Sequence, residues 1–486
     1  MKKNLLIGCM TALFLSPAMA EEIQVNTPAS PDVVAQDVRG IQIQIPSADE
    51  IKNAFRAFIE NQTQLGQLFD LSQMSVVAEG ENFLVTLPET QKVVPVDAQT
   101  QETKTLSIPE KKITLTYADS FDDYAQYRID SVFDIVQSLI KDAVPEASLT
   151  VGQSNSEILW VPYYNLITKN SQNIQNLVLN LPDVLNLTVG SVVSDSLARA
   201  LGNKKMDRSD LQDVKDIKIT AEGTTISIPT FSFEDAIQNA DLGVTGIRQL
   251  TSSEKAFFNL NIPTVVVSAD KEHMGSLSLA MNGEYQNTTM HLEIKSDNIT
   301  LNQMMIPLPS VFLPSEISLN VDVQNLNKEA LNLIMDENTT DEERTNALRT
   351  QVSNIRIRIN KLEVKNAEAG ISVSGILQNE PNAIGLSLPK ANLTAVITNL
   401  DKLAPEVKVD AQQCERVKAQ MATLSDRNIA EQAIQNACAP QGGILSALRP
   451  YIDLQKRTVN ADGTTTDTVN IIIVNNRMII NGKEVK

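Results

Sequence analysis

Two histidines, three cysteines and one tryptophan in 486 residues leave little of the chemistry on which metal and redox sites are built. His273 and His291 cannot furnish a multi-histidine zinc or iron centre. His291 falls on the polar side of an alternating segment and His273 in the charged turn Asp270–Met274, so both read as surface positions. The phosphate-cradling patterns Gly-x-x-x-x-Gly-Lys-[Ser/Thr] and Gly-x-Gly-x-x-Gly are missing, which argues against nucleotide use. So is the Gly-x-Ser-x-Gly elbow, which Gly370-Ile-Ser-Val-Ser-Gly375 misses by one residue. The loop Asn460-Ala-Asp462-Gly463 lacks the first and last ligands of a calcium-binding EF-hand and reads as a hairpin tip. These absences lead to an expectation of no metal, no cofactor and no catalysis. The enzymatic alternative is a hydrolase whose residues are scattered along the chain, such as a Ser-Lys dyad.

Positive charge is also short. Lys and Arg total 41 against 59 acids, for a net charge of −18, spread along the chain rather than gathered in a tail. An acidic surface repels nucleic acid and anionic head groups, so neither is expected as an electrostatic partner.

Long apolar runs are confined to the N-terminus. Lys2 and Lys3 precede the run Leu5–Leu15, and Pro17 precedes Ala18-Met19-Ala20. That order is a secretory signal with cleavage after Ala20, which implies periplasmic export and no integral membrane segment after cleavage. Leu6-Ile7-Gly8-Cys9 has the order of a lipoprotein site, but too few apolar residues stand ahead of Cys9. Cleavage would leave Cys414 and Cys438. They flank two helix-like stretches, Ala411–Leu424 and Asn428–Ala437, broken at Ser425-Asp426-Arg427. A helical hairpin clipped by a Cys414–Cys438 disulfide follows, adding roughly 3 kcal/mol by chain entropy. The alternative, a reactive thiol pair, suits this wide spacing poorly.

Aromatic residues make up 4% of the chain, and Trp160-Val-Pro162-Tyr163-Tyr164 is their one local concentration. Trp160, Tyr163 and Tyr164 are therefore candidate groove residues for an apolar or sugar ligand. The competing reading, which we prefer, is ordinary packing of a Pro-marked edge strand.

What the sequence does carry is alternation. Ile41 to Ile45, Met290-Leu292-Ile294 and Ile355-Ile357-Ile359 each alternate apolar with polar residues, the pattern of antiparallel sheet with one wet face. Leu106–Ile108 and Ile113–Tyr117 read as a hairpin around Pro-Glu-Lys-Lys. Asn481-Gly482 is a strong two-residue turn, and Asp462-Gly463 marks another reversal. Helices are few. Capping boxes at Ser47/Glu50 and Thr340/Glu343 start two of them, and the stripe Val132-Val136-Leu139-Ile140 predicts a third over 131–143.

Two internal repetitions stand out. Leu319–Ala330 and Leu393–Ala404 both run strand, then Asn-Leu-[Asn/Asp]-Lys, with Asn327 or Asp401 placed to cap a following helix. Strand–turn–strand units recur at Val76–Pro88, Ile217–Pro229 and, more loosely, Leu362–Val373 with Gly370 as its turn. The first pair resembles the repeats of periplasmic AsmA-like proteins and of uncharacterised envelope proteins of proteobacteria. That resemblance implies a curved sheet with an apolar concave face and a role in lipid or outer-membrane homeostasis. The chain departs from the membrane-anchored members in keeping no transmembrane helix after cleavage.

The expected fold is α+β, mainly β: antiparallel curved sheets of repeated β-turn-β units with a few packing helices and a C-terminal helical hairpin. The chain divides into a signal peptide (1–20), a flexible lead-in (21–40), an N-terminal α+β domain (41–204), a β-repeat domain (205–405), and the hairpin with C-terminal β-hairpins (406–486). The leading functional expectation is a non-catalytic periplasmic protein that binds a lipid or other apolar ligand along a curved sheet. The alternative is an assembly or structural factor that binds an envelope protein through sheet edges.

Overall fold

The structure, a computed structural model, describes residues 33–36, 42–62, 70–95, 103–129, 148–181, 185–244, 246–270, 272–302, 313–335, 339–381, 387–403, 411–421, 434, 452, 456–474 and 477–485. The fold is α+β and mainly β, of curved antiparallel sheet. It forms two compact units, one of Met1–Glu293 with Asn325–Gln351 and one of Ile294–Gln324 with Val352–Lys486.

Unit 1 opens with β1 (Val33–Gln36) and β2 (Gln42–Ile45), then helix α1 (Ala48–Gln62). The Ser47 hydroxyl and Glu50 carboxylate close the expected capping box, with Ser47 N donating to Glu50 Oε2 at 2.7 Å and Glu50 N to Ser47 Oγ at 3.3 Å. Ser47→Ala should cost about 1 kcal/mol of unit 1 stability in a denaturant titration. The stripe Ile51, Phe55, Phe58 and Ile59 is buried. Leu65, Leu68, Phe69 and the helix expected over 131–143 lie outside the described residues.

The next strands are β3 (Ser75–Glu79), β4 (Asn82–Leu87), β5 (Thr90–Pro95), β6 (Thr103–Ile108), β7 (Lys111–Phe121) and β8 (Tyr124–Ile129). The hairpin expected between 106 and 117 does not form. β6 pairs with β5 in a sheet of their own, whereas β7 pairs with β4 and β8. The reason is burial: Ile113 and Leu115 of β7 join Phe83, Val85 and Leu87 of β4 in the main core.

After β9 (Ser148–Thr150) and β10 (Gln153–Val161) comes a meander of long strands: β11 (Leu166–Leu181), β12 (Leu185–Gly202), β13 (Lys205–Ala221), β14 (Thr224–Asp241), β15 (Lys255–Ala269), β16 (Glu272–Gln286) and β17 (Thr289–Ser296). The border expected at 204/205 falls at a hairpin turn: Asn203 and Lys204 take left-handed φ of 53° and 56° between β12 and β13, which pair along most of their length. Three strand residues, Asn176, Asp216 and Asn239, also have positive φ. The ladder shifts by one residue at Asn239, a β-bulge that bends the sheet, and passes Asn176 and Asp216 with its register unchanged. Gly190 makes room for Asp216, since a Cβ there would sit 2.9 Å from Asp216 Oδ2. Helices α2 (Gly246–Ser252) and α3 (Lys328–Met335) pack together in this unit, and α4 (Asp341–Asn354) begins on its expected Thr340/Glu343 box. Asn327 caps α3 by accepting from Ala330 N at 2.9 Å.

Unit 2 contains β18 (Thr300–Leu301), β19 (Glu316–Gln324), β20 (Arg356–Lys365), β21 (Gly370–Pro381), β22 (Ser387–Thr398), β23 (Thr458–Val459), β24 (Thr465–Val474), β25 (Arg477–Ile480) and β26 (Lys483–Glu484). Its helices are α5 (Leu400–Leu403) and α6 (Ala411–Met421). Asn481 and Gly482, with φ of 47° and 80°, make the expected turn between β25 and β26. Two expectations need correction. Gly370 is the first residue of β21, and the preceding turn is held by Asn366, whose Oδ1 accepts from Glu368 N and Ala369 N. Asp401 does not cap a helix: it lies inside α5, whose first turn closes on the Asn399 carbonyl, and its carboxylate pairs with Arg457. Cys414 is buried on α6, while Cys438 lies outside the described residues. Of the second leg expected for the helical hairpin, only Ile434 is described, as helical.

Candidate functional site: an apolar sheet face

In a β-sheet, residues directly opposite one another across a ladder share a face. Following the register through unit 2 gives four successive rows. Ile317 of β19 faces Val364, then Ile371, then Ile397. Leu319 leads to Leu362, Val373, Ala395 and Val469. Val321 leads to Ile359, Gly375, Leu393 and Ile471, and Val323 to Ile357, Leu377, Ala391 and Ile473. Across β19 to β22 these rows hold no charged or polar side chain. The opposite face carries Arg356, Arg358, Glu363 and Lys365, with Asn320 and Asp322 both accepting from the Asn360 amide.

The face stays continuous because of a bulge. The register shifts at Asn360-Lys361, so apolar residues at 357 and 359 are followed by 362 and 364 instead of 361 and 363. The alternation ending at Ile359 therefore revealed half of this strand's contribution and missed Leu362 and Val364. The two ends of the face differ in cover. Ala395, Ile397, Val469 and Ile480 are buried with Leu400 and Leu403 of α5 and with Ile452. At the β19–β20 end, Ile317, Leu362 and Val364 are 36%, 37% and 42% exposed. Large aliphatic side chains left so open in register are an unsatisfied hydrophobic surface.

Where the rows reach β24 they meet one charge, Asp467, opposite Ile397 and 1% exposed. Arg457 neutralises it, with Nε donating to Asp467 Oδ1 at 3.0 Å and Nη2 2.9 Å from Oδ2. These hydrogen bonds, first to Asp467 and then to Asp401, hold the guanidinium protonated more firmly than usual.

Unit 1 repeats the design on β14–β16. Ile226 faces Val267 and then Gly275, Leu260 faces Met281, Ile262 faces Leu279 and Val265 faces Leu277. Most of these side chains are half-buried, and Leu277 is exposed. Gly283 is required where Phe258 crosses it, because a Cβ would lie 2.1 Å from the ring.

The aromatic segment behaves differently from a groove. Trp160 is fully enclosed, its ring 5.7 Å from Phe55 and 5.5 Å from Phe58, with Nε1 donating to Asn165 Oδ1 at 2.9 Å. Its place is in the core, because α1 brings two phenylalanines onto it. Pro162–Tyr164 form a 3-10 turn ended by Asn165 at φ 46°. Tyr163 stacks on Tyr124 at 3.5 Å, and buried Tyr164 donates to Asp122 Oδ2 at 2.6 Å. Burial, reinforced by that carboxylate, raises the Tyr164 phenol well above its ordinary range. The structure thus brings Tyr163 and Tyr164 together with Tyr124 and sets Trp160 among other partners. His273 is exposed at the start of β16, and His291 is half-buried on β17.

Among the described residues no group of three or more His, Cys, Asp or Glu side chains is placed to hold a metal ion, and no helix is long and apolar enough to cross a membrane. No protein-family model, curated protein or solved structure matches the chain.

Proposed function

We propose that this is an exported, non-catalytic protein of the bacterial periplasm that binds the acyl chains of a lipid along the apolar face of its sheet. The observation that carries the reading is the run of four charge-free rows across β19–β22, covered at one end and open at Ile317, Leu362 and Val364. A surface of this kind recognises hydrocarbon, at about 25 cal/mol per Å² of apolar area removed from water. The N-terminal signal pattern and the acidic, mixed-charge surface suit a protein working in aqueous periplasm beside membranes. The test is expression with the natural leader, purification without detergent, and mass spectrometry of an organic extract. Acyl lipid in near-stoichiometric amount, with Glu21 at the mature N-terminus, is the expected result. Protein that is repeatedly lipid-free and binds none on addition would sink the reading.

A second reading, attachment of an envelope protein by strand addition, has one observation in its favour. Among the described residues β3 pairs with β4 alone, and most of its side chains are exposed. Cross-linking in intact cells separates the two readings, because a dedicated partner gives one dominant adduct.

A further inference from the structure

The buried side of unit 1 is not apolar throughout. On β11 to β13, Ile174, Val192 and Val214 belong to the main core, while Leu166, Ala198 and Met206 belong to a separate cluster. Between them runs a polar line. Asn170 of β11 faces Ser196 of β12, which faces Asp210 of β13, which faces Asp235 of β14. Asp210 and its strand neighbour Arg208 are 6% and 7% exposed. The Ser196 hydroxyl donates to Asp210 Oδ1. Arg208 Nη2 lies 2.8 Å from Asp210 Oδ2 but out of line for a hydrogen bond.

One guanidinium therefore serves two carboxyl groups. Asp210 holds both the ion pair and the serine bond. Asp235 lies in hydrogen-bonding reach of Asp210. Yet Asp210 Oδ2 and Asp235 Oδ1 are both buried and receive no hydrogen bond from a donor. An ionised carboxylate can only accept, so two of them side by side satisfy neither. A proton held between them satisfies both and leaves the group of three side chains with no net charge.

We infer that Asp235, paired with Asp210 across β13 and β14 beside the single cation Arg208, is a protonation switch inside unit 1: neutral it completes the polar line, and ionised it loosens the sheet. Burial first, and then the charge of Asp210 against the opposing pull of Arg208, push the Asp235 carboxyl up to about 7. The facing groups from β12 and β15, Ser196 and Phe258, carry no charge. The folded-state value lies above the 3.8 of an unperturbed aspartate. The stabilisation is therefore fully present below that unperturbed value, declines as pH rises from it, and is gone once pH has passed about 7.

The single tryptophan, Trp160, reports unit 1 in the full chain. Urea unfolding followed by its fluorescence should show the wild-type midpoint at about pH 8 falling roughly 1 M below that at about pH 5, relative to Asp235→Asn measured alongside. Asparagine donates to Asp210 without ionising, so its profile lacks this fall. Parallel profiles for the two proteins would overturn the inference. Should Asp235→Asn fail to fold, carbon-13 NMR of aspartate-labelled wild type decides: one carboxyl titrating near 7 supports the switch, and all carboxyls titrating in the ordinary range refute it.

Discussion

Trp160→Ala should lower the stability of unit 1 by about 3–5 kcal/mol, measured by denaturant titration followed by circular dichroism. The ring is wholly buried between Phe55 and Phe58, so truncation opens a cavity that two aromatic neighbours on a helix cannot collapse to fill. It also strands the Asn165 side chain that accepts the indole N–H. The comparison is Tyr163→Ala, where a half-buried ring leaves the face of Tyr124 and the loss should stay near about 1 kcal/mol. Equal, small losses at both positions would mean that Trp160 lines a surface after all.

Arg457→Ala should be as damaging in unit 2, at about 3–5 kcal/mol, because it leaves Asp467 buried without its cation. Asp467 sits at the closed end of the apolar face, in register with Ile397, and its side chain is 0% exposed. The expected remedy is informative. Combining Arg457→Leu with Asp467→Leu should recover most of the loss, since the cost lies in the uncompensated charge rather than in the missing attraction. A double variant as unstable as the single one would show that the guanidinium fixes the local backbone instead. Asp401, half exposed on the same guanidinium, should matter far less when replaced by alanine, within about 1 kcal/mol.

Much of the local structure was legible because its causes are local. Ser47 with Glu50 and Thr340 with Glu343 announce their helices three residues ahead, and Asn481-Gly482 needs only its own φ angles to turn a hairpin. Alternation located the buried face of β2 at Ile43 and Ile45 and the apolar face of β20 at Ile357 and Ile359. It failed at bulges: one extra residue at Asn360-Lys361 inverts the phase, so Leu362 and Val364 read as part of a separate unit and not as a continuation of the Ile357-Ile359 face. Turns such as Asp122-Asp123, Asn203-Lys204 and Asn287-Thr288 adopt left-handed backbone without glycine and so gave no signal.

The larger errors concern partners far apart in sequence. Leu106–Ile108 looked like the mate of Ile113–Tyr117 by proximity, but a strand goes where its buried face is completed, and for β7 that is β4. Packing is the preferred reading of Trp160, but no residue near it in sequence reveals that α1 supplies the cover. The polar line from Asn170 to Asp235 is likewise spread over four strands, and within β13 it reads as an ordinary hydrophilic stretch.

The proposed lipid-binding role requires that the open end of the unit 2 sheet take up hydrocarbon. Equilibrium binding of a fluorescent long-chain fatty acid to the purified full chain addresses this directly, with Leu362→Glu/Val364→Glu as the comparison. Both side chains are exposed, so the double variant should keep its unfolding midpoint. A charge set into the hydrocarbon path should weaken binding by about tenfold or more. Saturable binding by the wild type that the variant loses is the predicted result. No saturable binding by the wild type, or equal binding by the two proteins, would contradict it.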